Sequence, residues 1–241
     1  MIHAIILAAG LGDRLGELTT DRPKAMVPVA GRELILRVMD FLDHPNIASR
    51  TVITGYRGGR LSGFLKEQCP GVATLHNPHF EAGSILSLAT AIPAMRGDIL
   101  LMNVDHIYPR RMLPRLLETT KGITAICDFD RPLGPDDMKV HLRTGGTLAA
   151  IRKTLSTFDG GYIGMTTVGA QLLPRYQQAI SEVIEEHGDG APVEWVLGHL
   201  AHQDVDVSIG DVSGIPWLEV DTPEDLAHAE ATLREIPEFL R

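Results

Sequence analysis

The N-terminal segment constrains the fold more strongly than any other part of the chain. An apolar run, Ile2–Leu7, stops abruptly at Ala8-Ala9, and a loop containing Gly10 and Gly12 follows. A buried strand that runs into a turn of small residues exposes backbone N–H groups, and such groups bind phosphate. Arg14 and Lys24 come shortly afterwards and supply positive charge for the same ligand. The segment therefore predicts a phosphate site, with a nucleoside triphosphate as the first candidate ligand.

The loop differs from two common phosphate motifs. It lacks the Gly-Lys-Ser/Thr of a P-loop, and Leu15 stands where the dinucleotide fingerprint needs its third glycine. The alternative interpretation is an ordinary strand-to-helix turn with Lys24 on the surface. The coincidence of Gly-x-Gly-x-Arg-Leu with a following Arg-Pro-Lys favours phosphate binding over that alternative.

Apolar, β-branched runs alternate with helical patterns along the first half of the chain, which is typical of a parallel sheet covered on both faces. The predicted strands are Ile2–Leu7, Arg50–Thr54, Ala73–His76, Asp98–Asn103 and Ile123–Cys127. The predicted helices are Leu34–Leu42, Arg60–Gln68, Ser84–Ala94 and Arg111–Thr119. We therefore expect an α/β fold in a single domain over 1–241, built as a three-layer sandwich around a mixed, mostly parallel sheet.

The second half opens differently, because Lys139–Arg143 and Thr147–Ile151 flank Thr144-Gly145-Gly146 and predict a β-hairpin. The elements predicted after it are strand Gly160–Thr167, helices Ala170–Glu186 and Val193–His202, strands Asp204–Ile209 and Trp217–Val220, and helix Pro223–Arg234. The last helix has a clear start signal, since Asp221-Thr222-Pro223 offers a capping residue and a proline in the first turn.

Composition excludes several classes of function. The chain has 241 residues with a formal net charge of −9, which argues against a general nucleic-acid or anionic-membrane surface. Its two cysteines, Cys69 and Cys127, are too few for a disulfide framework and are expected to be reduced thiols. The sequence shows neither a membrane span nor a signal peptide, so we expect a cytoplasmic protein.

Two aspartates follow predicted strands. Asp105 comes after Ile99–Val104, and Asp221 comes after Trp217-Leu-Glu-Val. Open α/β sheets bind ligands at the carboxyl ends of their strands, so these carboxylates could hold one Mg²⁺ against triphosphate oxygens. Each could instead be a turn or cap residue, and Pro223 makes Asp221 a plausible helix cap.

The glycine loop and the Arg22-Pro23-Lys24 segment resemble the signature of the sugar-phosphate nucleotidyltransferases, and the likeness extends over nearly the whole chain. The small phospho-alcohol cytidylyltransferases, which act on inositol 1-phosphate, phosphocholine or aminoethylphosphonate, are the most similar subgroup. The resemblance implies the Rossmann-like fold of nucleotide-diphospho-sugar transferases. It also implies that Arg14 and Lys24 contact phosphates, and that Asp105 and Asp221 bind the metal. The sequence Asp105-His106-Ile107 resembles the inositol-phosphate enzymes, where we expect His106 to support the site by a hydrogen bond.

The resemblance also implies which residues bind the nucleotide. The segment Asn77–Leu88 resembles the part of the family that contacts base and ribose, but Gly83-Ser84 replaces a pair of asparagines while Ser87 is retained. The base is therefore less well specified than the triphosphate. The full set of expected nucleotide-binding residues is Leu7, Ala8, Ala9, Gly10, Leu11, Gly12, Asp13, Arg14, Lys24, Asn77, Gly83, Ser84, Ser87 and Asp105.

The acceptor site is expected mainly in 131–241, and the nucleotide site mainly in 1–130. Asp136–Val140 and Ile151–Leu155 resemble paired segments of the cytidylyltransferases, in which Lys153 matches a lysine that holds the acceptor phosphate. Core packing is the alternative interpretation for several of the other candidates. The expected acceptor-binding residues are His106, Lys139, Lys153, Tyr162 and Glu194.

The implied reaction is Mg²⁺-dependent nucleotidyl transfer, with Arg14, Lys24 and Lys153 as catalytic residues. An NTP, expected to be CTP, would react with a phosphorylated small molecule. The alternatives are a sugar-1-phosphate uridylyl- or guanylyltransferase, a molybdopterin-type nucleotidyltransferase, and a non-catalytic nucleotide-binding regulator. The sequence has no sustained heptad pattern that would specify an oligomer, and a homodimer is one possible assembly.

Overall fold

The computed structural model describes residues 1–119 and 122–240. Its strands are β1 (Ile2–Ala8), β2 (Pro28–Val29), β3 (Arg32–Glu33), β4 (Ile47–Thr54), β5 (Ala73–His76), β6 (Asp98–Asn103), β7 (His106–Ile107), β8 (Ile123–Asp128), β9 (Lys139–Leu142), β10 (Leu148–Arg152), β11 (Gly160–Val168), β12 (Val207–Asp211) and β13 (Leu218–Glu219). Its α-helices are α1 (Leu34–Phe41), α2 (Gly58–Gln68), α3 (Ser84–Ala91), α4 (Met112–Thr119), α5 (Leu173–His187), α6 (Trp195–His202) and α7 (Pro223–Glu235). Short 3₁₀ segments lie at Asp13–Thr19, Lys24–Met26 and Ile92–Ala94.

A nine-stranded mixed sheet forms the centre of the molecule. Its path runs β10-β9-β11-β6-β1-β4-β5, and β8 joins β11 to β12. Strands β6, β1, β4 and β5 are mutually parallel, whereas β11 runs antiparallel to β6, β8 and β9. The parallel part carries, at the end of β1, the loop with Gly10 and Gly12 that was predicted to bind phosphate, called the phosphate-binding loop below. The antiparallel part carries the hairpin.

Side chains of β1 alternate between the two faces of the sheet, as the two-residue period of a strand requires. Ile5 and Leu7 pack in the cluster that contains apolar residues of α3, α5 and α6. Ala4 and Ile6 pack in the opposite cluster, with apolar residues of α1, α2 and α4. The predicted three-layer α/β architecture is confirmed.

Most predicted elements are present with shifted ends. The predicted hairpin forms from β9 and β10, with Gly146 at φ +80° in its turn. The strand expected from Asp204 begins only at Val207, because Asp204 takes a left-handed conformation (φ +56°) that ends the preceding helix in a turn. The predicted strand Trp217–Val220 is present as the shorter β13, but the pattern did not indicate its partner β7 or the ladder β2–β3, since two-residue strands have no periodicity. Within the described residues, no helix combines the length and the apolar character that crossing a membrane requires.

Candidate active site

The phosphate-binding loop leaves the carboxyl end of β1 and turns back on itself at Gly12. Gly12 has φ +72°, and a Cβ built there would lie 2.9 Å from Cβ of Lys24. The hydroxyl of Thr19 donates to the carbonyl of Gly12 across 3.1 Å and helps to close the turn. Glycine is therefore required at this position by both its backbone conformation and the close approach of Lys24.

The ammonium of Lys24 lies between two carboxylates. It donates to Oδ2 of Asp105 across 2.8 Å and also to Oδ1 of Asp221. The Arg14 guanidinium forms an ion pair with the other oxygen of Asp221. These four residues (Arg14, Lys24, Asp105 and Asp221), called the ionic cluster below, come from three separate regions of the sequence. The structure thus brings together two of the three predicted catalytic cations, Arg14 and Lys24, and the predicted metal-binding carboxylates.

A short antiparallel ladder aligns the two aspartates. Strands β7 and β13 pair His106 with Glu219, and the backbone N–H of Val220 donates to the carbonyl of Asp105 across 2.9 Å. Asp105 directly precedes the paired residue His106, and Asp221 lies two residues beyond the paired residue Glu219. Their side chains meet because the ladder fixes the register of the two strands.

Asp221 is not the cap of α7. Thr222 is the N-cap, and it forms a capping box with Asp225, whose N–H donates to the Thr222 hydroxyl across 3.1 Å. The Asp225 carboxylate also accepts from the backbone N–H of Asp221 at 3.1 Å. The capping box therefore holds the backbone at Asp221 and leaves its carboxylate to face the ionic cluster.

The charges of the cluster stabilise one another. Burial alone would lower the pKa of Lys24, but the carboxylates of Asp105 and Asp221 outweigh it and raise the pKa. Burial alone would raise the pKa of Asp105, but Lys24 and His106 hold it well below its usual range. Lys24 therefore stays protonated and Asp105 stays ionised at neutral pH.

His106 supports Asp105 from the side away from Lys24. Its Nδ1 lies 2.6 Å from Oδ1 of Asp105, and its ring is stacked on those of Tyr108 and Trp217 at centroid distances of 5.6 and 5.3 Å. The Trp217 indole N–H in turn donates to the Asp128 carboxylate across 2.8 Å. The hydrogen bond expected of His106 is present, and the stacked rings fix the orientation of the imidazole.

The oxygen donors of the cluster suit a hard divalent cation. Carboxylate oxygens of Asp105 and Asp221 both reach the same ammonium, so they converge on a single point. Ligand atoms of Asp105, His106 and Glu219 also lie within 4.8 Å of one another. Mg²⁺ is usually bound through one or two carboxylates together with substrate phosphates, and this donor set fits that pattern.

A cavity of about 480 Å³ extends from the ionic cluster along the phosphate-binding loop. Of the expected nucleotide-binding residues, it is lined by Leu7, Ala8, Ala9, Gly10, Leu11, Gly12, Asp13, Arg14, Lys24, Gly83, Ser84, Ser87 and Asp105. The sequence reasoning did not include six further lining residues in this cavity: Ala25, Phe80, Asn103, Val104, Val193 and Glu194. Asn103, the last residue of β6, stands at a strand end and could have been found by the reasoning that identified Asp105.

Asn77 does not line this nucleotide cavity. It is only 1% exposed, and its side-chain amide donates to the Ser87 hydroxyl across 3.0 Å. Its carbonyl oxygen accepts from the backbone N–H of His79 at 2.9 Å. The structure therefore places Asn77 behind Ser87, where it supports the loop instead of facing a ligand.

The segment around Gly83 is joined to the loop between α5 and α6. The N–H of Val193 donates to the Ser84 hydroxyl across 2.9 Å, and the N–H of Ile85 donates to the Ala191 carbonyl across 3.1 Å. A Cβ built on Gly83 would lie 2.4 Å from the Asp189 carbonyl oxygen. Gly83 is thus needed for close approach of two backbones, which accounts for glycine where the resemblance would place asparagine.

A second cavity, of about 320 Å³, adjoins the first at the ionic cluster. Four of the expected acceptor-binding residues line it: His106, Lys153, Tyr162 and Glu194. Asp136, Asp137 and Met138, from the segment that resembles the cytidylyltransferases, line it as well, although they were not singled out as acceptor ligands. The sequence reasoning did not assign Asn103, Trp217 or Glu219 to the acceptor site, and these residues also line the cavity. Tyr162 is largely buried, and its hydroxyl lies 2.9 Å from the hydroxyl of Thr166.

Lys139 does not line either of these cavities, and its expected role as an acceptor ligand needs correction. Its side chain is buried, and its ammonium donates to the backbone carbonyls of Gly134 and Lys153 at 2.7 and 2.9 Å. A buried ammonium must satisfy its donors locally. These contacts direct it toward backbone oxygens and away from the acceptor cavity.

Comparison with known proteins places this fold and site in a family. Residues 4–168 match the MobA-like NTP transferase domain. A bifunctional IPC transferase and DIPP synthase from Aquifex aeolicus is 30% identical over 231 residues, covering 95% of this chain but 51% of that protein. The chain thus spans about half the length of such relatives. A 2-aminoethylphosphonate cytidylyltransferase from Lancefieldella rimae is 26% identical, covering 93% of this chain and 90% of that protein.

The fold has a solved counterpart in the inositol-1-phosphate CTP transferase from T. maritima, with a TM-score of 0.78 and 20% identity. That alignment covers 97% of this chain and 96% of the other, so the similarity of fold extends over nearly the whole chain. The matched family model covers more than half of the chain and includes the phosphate-binding loop, Lys24 and Asp105. The chain therefore belongs to the family of the MobA-like NTP transferase domain.

Proposed function

We propose that this chain is a cytidylyltransferase that transfers the CMP part of CTP to the phosphate of a small phosphorylated alcohol and releases pyrophosphate. The observation that carries the proposal is that the two cavities meet at the ionic cluster. They share the lining residues Arg14, Ser84, Asn103, Asp105, Glu194 and Asp221. One cavity follows the phosphate-binding loop and the other contains Lys153, so two anionic substrates would meet where the cations are. Cytidine is supported by the name of the 2-aminoethylphosphonate cytidylyltransferase, and a phosphorylated alcohol is supported by that of the inositol-1-phosphate CTP transferase.

The chemistry requires positioning and charge neutralisation more than proton transfer. An oxygen of the acceptor phosphate attacks the α-phosphorus of CTP, the bond from that phosphorus to the β-phosphate oxygen breaks, and pyrophosphate leaves with the electron pair. The attacking phosphate is already anionic, so no general base is needed. Holding two mutually repelling anions in line is then the main contribution of the protein.

Each part of the site has a role in that step. The loop amides with Arg14 and Lys24 bind the triphosphate, and Lys153 binds the acceptor phosphate. Asp105 and Asp221 would hold Mg²⁺, which when bound neutralises polyphosphate charge. His106 holds the Asp105 carboxylate in place, since its Nδ1 lies 2.6 Å from that carboxylate.

Cytoplasmic residence is part of the proposal. Cys69 and Cys127 are free thiols. The reducing cytosol maintains cysteines in that state.

The test is a pyrophosphate-release assay that combines CTP, UTP, GTP and ATP with inositol 1-phosphate, phosphocholine, 2-aminoethylphosphonate and glucose 1-phosphate. We expect release with CTP and a phospho-alcohol, and loss of release in Lys24→Met. Lys66→Met is the matched control, because Lys66 is exposed on α2 and lines neither cavity. Preference for UTP or GTP with a sugar phosphate would favour the sugar-nucleotide alternative. Absence of release from every pair would refute nucleotidyl transfer.

A further inference from the structure

Lys139 is a buried cation whose partners are backbone carbonyls. Its side chain is 6% exposed, and its ammonium donates to Gly134 O at 2.7 Å, Lys153 O at 2.9 Å and Asp137 O at 3.2 Å. The Pro135 carbonyl lies at 3.5 Å. Among the described residues, no carboxylate forms an ion pair with this ammonium. Three protons meet three close oxygens, so the donors are satisfied and the charge is spread over peptide dipoles.

These carbonyls belong to two segments that form one wall of the acceptor cavity. The loop from 134 to 138 contributes Asp136, Asp137 and Met138 to the lining, and Lys153 contributes its own side chain. The ammonium of Lys139 connects these two segments, which precede and follow the hairpin and lie at the same end of it, where Lys139 pairs with Arg152. The ammonium therefore holds the 134–138 loop and Lys153 in fixed positions relative to each other.

The backbone at Lys153 has little other support. The last paired residues of the β9–β10 ladder are Lys139 and Arg152, so Lys153 lies one residue beyond the ladder. The Lys153 side chain is exposed, and no hydrogen bond or ion pair to its ammonium occurs within the described part of the chain. Its direction is thus set mainly by the backbone from which it extends, and the Lys139 contact at 2.9 Å holds that backbone.

We propose that Lys139 is a positioning residue for acceptor binding, which fixes the Lys153 backbone and the 134–138 loop without touching the acceptor. This inference rests on the proposed function, in which Lys153 binds the acceptor phosphate. The nucleotide cavity does not contain the 134–138 loop or Lys153. Loss of the Lys139 ammonium therefore weakens binding of the acceptor but not of the nucleotide.

The test compares Lys139→Met, which retains the length of the side chain but removes its donors, with Arg143→Met. Arg143 is the matched control, because its guanidinium also donates to a backbone carbonyl, that of Ala201, but at the opposite end of the same hairpin. Lys139→Met removes the contacts of a buried ammonium to the carbonyls of Gly134, Asp137 and Lys153. Arg143→Met removes the contact of a partly exposed guanidinium to the Ala201 carbonyl and its ion pair with Asp204. Only Lys139→Met loses a contact to the wall of the acceptor cavity.

Steady-state kinetics with CTP and whichever phosphorylated acceptor the pyrophosphate-release assay identifies gives the first readout. In Lys139→Met we expect the KM for the acceptor to rise roughly tenfold, as for loss of an outer-shell partner of a ligand-binding group. The KM for CTP and kcat stay within about twofold, and Arg143→Met leaves all three unchanged. An unchanged acceptor KM in Lys139→Met, with wild-type turnover, overturns the inference.

Hydrogen exchange gives a second readout that needs no turnover and separates this inference from the proposed function. The backbone amides of Gly134, Asp136, Asp137, Met138 and 153–155 should exchange faster in Lys139→Met than in wild type or Arg143→Met. Equal exchange in these segments overturns the inference even if no acceptor is found. If Lys139→Met does not fold, Lys139→Gln, which keeps an N–H donor and loses the charge, is measured in the same two assays, with an intermediate effect expected.

Discussion

Replacing Lys24 by methionine separates two effects of its ammonium. The ammonium neutralises Asp105 and Asp221 at the point where their oxygens converge. It is also one of the proposed ligands of the triphosphate. The variant should therefore lose nucleotidyl transfer, yet bind a divalent cation more tightly without nucleotide, because the ammonium no longer competes for the same carboxylates.

The expected gain in affinity for the divalent cation depends on how deeply the Lys24 ion pairs are buried. The side chain of Lys24 is 12% exposed, and those of Asp105 and Asp221 are 22% and 16% exposed. Exposed pairs contribute about 0.2–1 kcal/mol, and breaking a fully buried pair costs about 3–5 kcal/mol. Taking about 1 kcal/mol for each of these partly screened pairs gives about 2 kcal/mol, or roughly thirtyfold in the metal dissociation constant.

The turnover number kcat of Lys24→Met should fall, whereas its affinity for the metal rises. Loss of one preorganised charge donor costs about a hundred- to a thousandfold in kcat at comparable sites. Loss of the two ion pairs should also lower the Tm by about 4–8 °C at this chain length. Added Mn²⁺ should then restore more thermal stability in the variant than in wild type, because ligand stabilisation increases with affinity.

Titration with Mn²⁺ by calorimetry, without nucleotide, measures the affinity directly. Lys153→Met is the control for removal of a cation from the acceptor cavity, since Lys153 forms no ion pair with either aspartate. It should keep the wild-type affinity for Mn²⁺. Equal or weaker Mn²⁺ binding by Lys24→Met would show that the ammonium and the metal do not share the carboxylates, and would refute the assignment of Asp105 and Asp221 as metal ligands.

Two further substitutions test how the site is supported. In Gly83→Ala, the added Cβ would lie 2.4 Å from the Asp189 carbonyl oxygen. We expect this overpacking to lower the free energy of unfolding by about 1–3 kcal/mol and to raise the KM for CTP. Gly59→Ala, where a Cβ meets nothing within 4 Å, is the control; equal kinetics in the two variants would contradict the close approach. In Thr222→Ala, loss of the capping box with Asp225 should cost about 1 kcal/mol, measured by denaturant unfolding. An unchanged midpoint would show that the cap contributes nothing to stability.

The sequence predicted those parts of the site that depend on local patterns. The run Ile2–Leu7 and the glycines after it specify a buried strand and a phosphate-binding loop, because alternation of side chains and backbone freedom act within a few residues. Asp105 and Asp221 could be identified for a similar reason, since each follows a strand. Their convergence on one metal ion was expected, whereas their contact with Lys24 was not predicted. The β7–β13 ladder is the physical cause of the convergence.

Contacts between distant segments could not be read in the same way. Nothing in the sequence around Lys139 shows that its ammonium is enclosed by carbonyls of Gly134 and Lys153, because that arrangement depends on how a loop folds over the hairpin. Asn77 was expected to face the nucleotide, but it lies behind Ser87 for the same reason. A polar residue at a strand end can face a ligand or support its neighbour, and only the tertiary packing decides between the two.

The two cavities are not separate contributions of the two halves of the chain. The loop between α5 and α6 is bonded to Ser84 and Ile85 of the first half. From that loop Val193 lines the nucleotide cavity, and Glu194 lines both cavities. A change in this loop must therefore alter the sites of both substrates, whereas a change at the Lys139 end of the hairpin alters only one. That difference follows from which backbone segments each contact joins. The KM for CTP and the KM for the acceptor, measured separately, are therefore the most informative properties of any variant in this site.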